Sequence, residues 1–242
     1  MIKLEVACNH IQSVETAINA GADRIELFEN LADGGCTPSF GTIKISLELC
    51  RSANVPLFVL VRPRSGCFYY TETEWQVIQT DLQILEELGV DGVVCGFLTE
   101  DDQIDFQRLE WLKKRWSGRV TFHRAFDVFL QHQPETQWQS AIKNVSQLGV
   151  ERILTSGGKA TDLEGVETIK KLVQLSENSI SIQPGSGVNG ENAVFIIKST
   201  GATEIHATAK KINTYQPVGS SSYYEADAIE IRRIRESIDS IR

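Results

Sequence analysis

The sequence predicts an α/β protein, a single-domain (β/α)8 TIM barrel. Three observations predict it. A short motif occurs four times, eight strand-like segments alternate with eight helix-like ones, and the length of 242 residues suits a closed barrel. The motif is Gly21-Ala-Asp-Arg-Ile-Glu-Leu27, echoed by Gly89-Val-Asp-Gly-Val-Val-Cys95, Gly149-Val-Glu-Arg-Ile-Leu-Thr155 and Gly201-Ala-Thr-Glu-Ile-His206. Each copy follows a helical pattern, at 10–20, 72–88, 134–148 and 189–200. In each, a glycine ends the helix in a left-handed cap and a strand begins. The copies lie about two strand–helix units apart.

The remaining strands fall between the copies, at Ile2–Ala7, Leu57–Arg62, Arg119–His123 and Ile180–Gln183. Helices at about 41–53, 105–116, 163–177 and 224–240 complete the alternation. Strand–helix–strand connections of this kind are right-handed and lay the strands parallel. An open doubly wound sheet would want a glycine-rich GxGxxG turn before the first helix, and there is none. No linker interrupts the chain, so one domain is expected over 1–242, with Gly219-Ser-Ser-Ser222 as its one loose connection.

Composition narrows the function. A net charge of −8 with no basic cluster argues against a nucleic-acid partner. No apolar run approaches the roughly 20 residues of a membrane span, and the first residues alternate like a strand rather than a signal peptide. The five cysteines are odd in number, widely spaced and without CxxC, which fits neither a disulfide framework nor a zinc ribbon. A cytoplasmic protein with reduced thiols is expected.

Strand register then sorts the side chains, because successive residues face opposite sides. Leu4, Val6, Ile25, Leu27, Val59, Val61, Val120, Phe122, Ile153 and Ile205 suit the helix layer. That turns Glu5, Arg24, Glu26, Arg62, Thr121, His123, Arg152, Glu204 and His206 inward. Alternate strands share layers, so Arg24, Gly92, Arg152 and Glu204 should form one. Glu26, Val94, Leu154 and His206 should form the layer above.

Active sites of such barrels sit at the carboxyl ends of the strands. There Val120-Thr-Phe-His-Arg-Ala-Phe-Asp127 places an imidazole, a guanidinium and a carboxylate within five residues. One reading is an enzyme acting on a small anionic, phosphorylated or similar, metabolite. Glu26 or His123 would be its acid/base, with Asp127 orienting Arg124 or His123. Arg62, Arg64 and Arg124 would hold the anion, with His206 beside them. The glycine-rich loops would offer backbone N–H groups from Ser156, Gly157, Gly185 and Gly187. A second reading starts from the cysteines: Cys8, Cys36, Cys67 and Cys95 fall at or just past strand ends, and thiolates are the soft ligands Cu(I) prefers. Cys8, directly after the first strand, is the candidate ligand.

These segments resemble the CutC family, known as copper homeostasis proteins. The likeness runs through Leu4-Glu-Val with Cys8, the 21–27 motif, Gly34-Gly35 with Thr37-Pro-Ser39, and Arg62-Pro-Arg64 with Gly66, Phe68 and Tyr70. It continues through 121–127, Arg152-Ile-Leu-Thr-Ser-Gly-Gly158 and His206, and so covers nearly the whole chain. The resemblance implies a (β/α)8 barrel, a cytoplasmic homo-oligomer (dimer or tetramer), and copper handling, with Cu(I) bound through cysteine in some members. Three positions depart from the family pattern. Phe28 stands where a cysteine is common, Cys67 where an aspartate is usual, and Ser186 interrupts a Gly-Gly-Gly loop.

Overall fold

Alternation along each strand divides the interior in two. A computed structural model describes residues 2–213 and 223–241. In chain order the elements are β1 (Lys3–Cys8), α1 (Ile11–Asn19), β2 (Arg24–Leu27), α2 (Phe40–Ala53), β3 (Leu57–Leu60), α3 (Glu72–Leu88) and β4 (Gly92–Cys95). Next come α4 (Phe106–Arg115), β5 (Arg119–Phe122), α5 (Ala125–His132), α6 (Trp138–Gln147), β6 (Arg152–Thr155), α7 (Val166–Ser176) and β7 (Ser181–Pro184). The chain finishes with α8 (Ala193–Thr200), β8 (Glu204–Ala207), β9 (Lys210–Asn213), β10 (Tyr223–Ala226) and α9 (Ala228–Asp239).

Strands β1 to β8 form one parallel sheet in the order β7-β6-β5-β4-β3-β2-β1-β8. A single bridge between Gly185 and His206 brings its two edges together and nearly closes the barrel. The apolar residues then separate as the alternation requires. Leu4, Val6, Ile25, Leu27, Val59, Val120, Phe122, Ile153 and Ile205 pack under the helices in one large cluster. Ala7, Phe28, Phe58, Leu60 and Val94 form a small separate cluster inside the barrel. Helix ends follow local chemistry: Thr71 and Glu74 make a reciprocal capping box at the start of α3, and Gly89 ends it in the left-handed region.

The lower interior layer is ionic, as the register predicts. Arg24 pairs through Nε with Glu5 and through Nη2 with Glu204 at 2.5 Å. Arg152 Nε reaches Glu204 at 3.3 Å and its Nη1 donates to Thr121 Oγ1 at 3.1 Å. The Phe58 ring lies among three guanidinium groups, those of Arg24, Arg119 and Arg152, at 5.2, 4.9 and 4.9 Å. Gly92 leaves room for that ring, because a β-carbon there would collide with it.

Three expectations need correcting. The helix expected over 134–148 begins at Trp138, after Pro134 and a 3-10 turn at Glu135–Gln137. A separate helix, α5, occupies Ala125–His132, where the sequence suggests a loop. No side chain caps its start, so the usual signal is missing. The last helix begins at Ala228 rather than 224, because Tyr223–Ala226 is a strand paired antiparallel with Lys210–Asn213. That hairpin packs on the start of α1, where Asn9 Nδ2 and the His10 ring meet the Tyr224 carbonyl at 3.0 and 3.2 Å. The stretch 219–222, expected as the loose connection, lies outside the described residues.

Candidate functional site

The upper interior layer opens into a cavity of about 190 Å³ at the carboxyl ends of the strands. Strand register delivers Glu26 from β2 and His206 from β8, and the loop starting after β5 delivers His123 and Arg124. Phe28, Leu31, Leu60, Phe68 and Leu154 supply an apolar wall, and Ser186 and Thr208 line the rim. A larger groove between α3 and α4, lined by Gln76, Gln83, Glu86, Trp111 and Arg115, lies on the outside of the barrel. It holds no buried polar atom without a partner, and the interior cavity does.

A hydrogen-bonded relay forms its floor. His206 Nδ1 donates to Glu5 Oε1 at 2.8 Å, and Gln183 Nε2 donates to the same oxygen at 3.1 Å. Glu26 Oε2 is 3.2 Å from the same His206 nitrogen. The single Nδ1 hydrogen is directed at Glu5, so Glu26 Oε2 is left buried with no donor. Burial alone would raise the Glu5 carboxyl, but Arg24 and the His206 hydrogen bond outweigh it and hold Glu5 well below the usual carboxylate range. Burial would also lower His206, yet Glu26 and Glu5 prevail and keep its affinity for a proton above that of an ordinary imidazole. For Glu26 burial wins: its carboxyl is pushed up to about 7, with Glu5 adding and with His206 and Arg24 opposing.

That raised value has a consequence for stability. A carboxyl that holds its proton more tightly when folded stabilises the protein while protonated, and the contribution is lost as pH rises through the folded value. Glu26→Gln, which cannot ionise, should therefore gain stability relative to the wild type between about pH 4.5 and pH 7. Urea denaturation of both proteins across that window checks it. A stability difference independent of pH would exclude Glu26 as a group titrating near neutrality.

His123 is buried, and its ring packs on Phe68 at 4.8 Å. Its Nδ1 accepts the Ala125 backbone N–H at 3.1 Å, and its Nε2 has no partner. Arg124 bridges the loops after β6 and β7, donating from Nη2 to Ser156 Oγ at 2.9 Å and from Nη1 to Ser186 Oγ at 3.4 Å. Its guanidinium remains partly exposed and lines the cavity.

The other residues singled out from sequence fall elsewhere. Asp127 faces away from the cavity and is spent on the loop after β6. It accepts from Thr155 Oγ1 at 2.5 Å, Ser156 N at 3.0 Å, Gly158 N at 2.9 Å and Arg124 Nε at 2.8 Å. It positions Arg124 and is not among the residues that line the cavity. The Ser156 and Gly157 N–H groups serve Asp127 and Thr155, so they cradle no anion. Gly185 lines the cavity, with its N–H on the Thr155 carbonyl. Gly187 packs instead against Asp162 and Thr161.

Arg62 does reach the cavity, but it is not a free anion ligand. Its Nη1 donates to the carbonyls of Gly34 and Gly35 at 3.1 and 2.9 Å, and its Nη2 to that of Gly66 at 2.7 Å. It ties the loops after β2 and β3 together. Arg64 turns away to the start of α3, where its Nε pairs with Glu74 at 2.5 Å.

Cys8 follows the outward parity of Leu4 and Val6 and is buried under the helices. Its thiol approaches the Val6 carbonyl at 3.7 Å, and burial raises its hold on the proton well above the ordinary thiol value. A closed, protonated thiol of this kind does not fit an open Cu(I) centre. The donor atoms of Glu5, Glu26 and His206 lie within 4.8 Å of one another. Oxygen and imidazole donors suit divalent ions better than Cu(I), and the Arg24 guanidinium on Glu5 disfavours any cation there.

Sequence reasoning missed Asp162, a buried loop carboxylate that burial pushes up to about 6 against the backbone N–H groups of Leu163 and Asp162 itself and the charge of Arg124. A lone charged residue in a loop carries no periodic signal. It also missed what Ser186 costs. That residue sits at φ 104°, a backbone region that glycine adopts freely and serine does not.

The comparisons agree with this architecture. A family model described as the CutC family matches residues 2–211. A CutC family protein of Pasteurella multocida is 43% identical over 210 residues, 86% of this chain and 82% of that protein. The human copper homeostasis protein cutC homolog is 40% identical over 204 residues, 83% of this chain and 71% of that protein. A solved CutC structure from Streptococcus agalactiae superimposes with a TM-score of 0.81 at 33% identity, covering 86% of this chain and 99% of that one. No helix among the described residues is long and apolar enough to cross a membrane. With that family match spanning most of the chain and the barrel in place, this protein belongs to the CutC family.

Proposed function

We propose that this chain serves copper homeostasis, the role carried in the names of its human and mouse relatives, through a small-molecule site at the barrel mouth. The ligand is a small metabolite with an anionic end, and Cu(I) seated on Cys8 is not required. The observation that supports this reading is the pair Glu26 Oε2 and His123 Nε2, two buried polar atoms without partners at one cavity. Leaving such atoms unsatisfied costs about 1–3 kcal/mol each, a cost that a ligand can offset. The partly exposed Arg124 supplies the charge for the anionic end, and the apolar wall excludes water. Five free cysteines accord with work in the cytoplasm, where thiols stay reduced.

Two titrations test the reading together. Anaerobic Cu(I) titration of the wild type and Cys8→Ser should give equal affinities, and a tenfold or greater loss in the variant would restore Cys8 as a copper ligand. In thermal-shift assays, small phosphorylated and carboxylated metabolites should raise the wild-type melting temperature and leave Arg124→Ala unmoved. If no anion shifts the wild type, the small-molecule reading fails.

A further inference from the structure

We infer that the cavity is shaped to enolise a small carbonyl compound bearing an anionic group, with Glu26 as base and the His123 Nε2–H as donor to the carbonyl oxygen. This rests on the barrel mouth being a small-molecule site. The His123 tautomer follows from geometry. Nδ1 accepts the Ala125 N–H at 3.1 Å, and in a neutral imidazole the other nitrogen then carries the proton. That Nε2–H is buried and unpartnered, and the His123 ring belongs to a residue of the cavity wall. The ring is fixed by Phe68 on one side and by Gly96, where a β-carbon would lie 2.5 Å from Nδ1. Burial, with Arg62 adding to it, lowers the affinity of His123 for a second proton to about 3, so it stays neutral at working pH.

A neutral imidazole N–H paired with a glutamate base is a combination that serves proton abstraction beside a carbonyl. Glu26 supplies the base. Glu26 lines the cavity, its buried Oε2 has no donor, and its proton affinity lies near neutrality, where a general base works best. In the step, the Glu26 carboxylate takes a proton from the carbon next to the carbonyl. The C–H electron pair becomes the new C=C bond, and the C=O π pair moves onto oxygen, where the His123 N–H receives it. Glu26, now a carboxylic acid, exchanges that proton with solvent and returns one to the same face of the carbon. Nothing is oxidised or reduced, and the outcome is exchange of the α-proton with solvent. A Schiff-base route would need an amine, and no lysine is among the described residues lining the cavity. Arg124 takes the anionic group, phosphate or carboxylate.

Proton exchange in D2O tests this. Dihydroxyacetone phosphate and pyruvate, one probe for each anion, are incubated with the protein, and loss of the α-proton signal is followed by 1H NMR. Wild type should accelerate exchange of at least one probe over buffer. Glu26→Gln should lose about 100-fold or more of that rate, and His123→Ala about 10²–10³-fold. No acceleration of either probe, or equal rates for wild type and Glu26→Gln, overturns the inference. Ligand-observed NMR separates the two levels: binding without exchange leaves the small-molecule site standing, and absence of binding counts against the site itself. Imidazole 15N NMR of the unliganded wild type adds a check that needs no variant. His123 should be the neutral Nε2–H tautomer from about pH 5 to 8, and an imidazolium or Nδ1–H form overturns its role.

Discussion

Arg24→Met is expected to lower folding stability by about 3–5 kcal/mol, a fall in melting temperature of roughly 10 °C for a chain of this size. The guanidinium is buried and holds two carboxylates at once, Glu5 and Glu204. Methionine fills much of the space, so the loss is electrostatic rather than a cavity. Arg152 still serves Glu204, but Glu5 keeps only its hydrogen bonds from His206 and Gln183. An uncompensated buried carboxylate escapes its cost by taking up a proton. Arg24 contributes most where Glu5 is ionised, and Glu5 ionises at unusually low pH because of it. The wild-type advantage should therefore be complete at neutral pH and shrink as pH falls below about 4.5. Urea titrations at pH 7 and pH 4 measure both parts. A loss below about 1 kcal/mol at pH 7 would mean that the ionic layer is not holding the barrel interior.

Asp127→Ala is expected to cost a similar amount, about 3–5 kcal/mol, for a different reason. One carboxylate satisfies the hydroxyl of Thr155, the N–H groups of Ser156 and Gly158, and Arg124 Nε. Alanine leaves buried donors with no acceptor and frees Arg124 from its seat. Asparagine keeps one oxygen but turns a donor toward donors, so Asp127→Asn should recover only part of the loss. Chemical denaturation gives the stability. The mobility of Arg124, followed through its guanidinium 15N–1H signals, tests the positioning role, because a residue that only packed would leave that signal unchanged.

The interior charges were legible because a strand admits only two faces. Once Leu4, Ile25 and Ile205 are assigned to the helices, Glu5, Arg24, Glu26, Glu204 and His206 have nowhere else to point. The same parity places Cys8 under the helices, since 8 follows 4 and 6; reading it by its nearness to the strand end obscured this. Parity turned Arg62 inward correctly, but it fixes the Cβ direction and not what the head of a long side chain, there or on Arg64 in the following loop, will bind. Their guanidinium groups travel several bonds to reach loop carbonyls and Glu74. The hairpin of β9 and β10 was not legible, because each strand has only four residues and neither alternates apolar with polar residues strictly. Asp127 was legible as the partner of nearby Arg124 but not as a loop anchor, since Thr155, Ser156 and Gly158 are distant in sequence.

The barrel is a hoop fastened by one link. Other neighbouring barrel strands share continuous ladders, whereas β7 and β8 meet at the Gly185–His206 bridge. A ring with one weak joint opens there first, at a free energy below that of global unfolding, so its amides near the joint are the earliest to exchange with solvent. The residue at that joint, His206, is also the imidazole on the cavity floor. Occupying the cavity and keeping the hoop shut are therefore linked equilibria. A molecule that binds only the closed ring tightens it in proportion to the logarithm of its concentration, and a breathing seam sets how readily such a molecule enters and leaves.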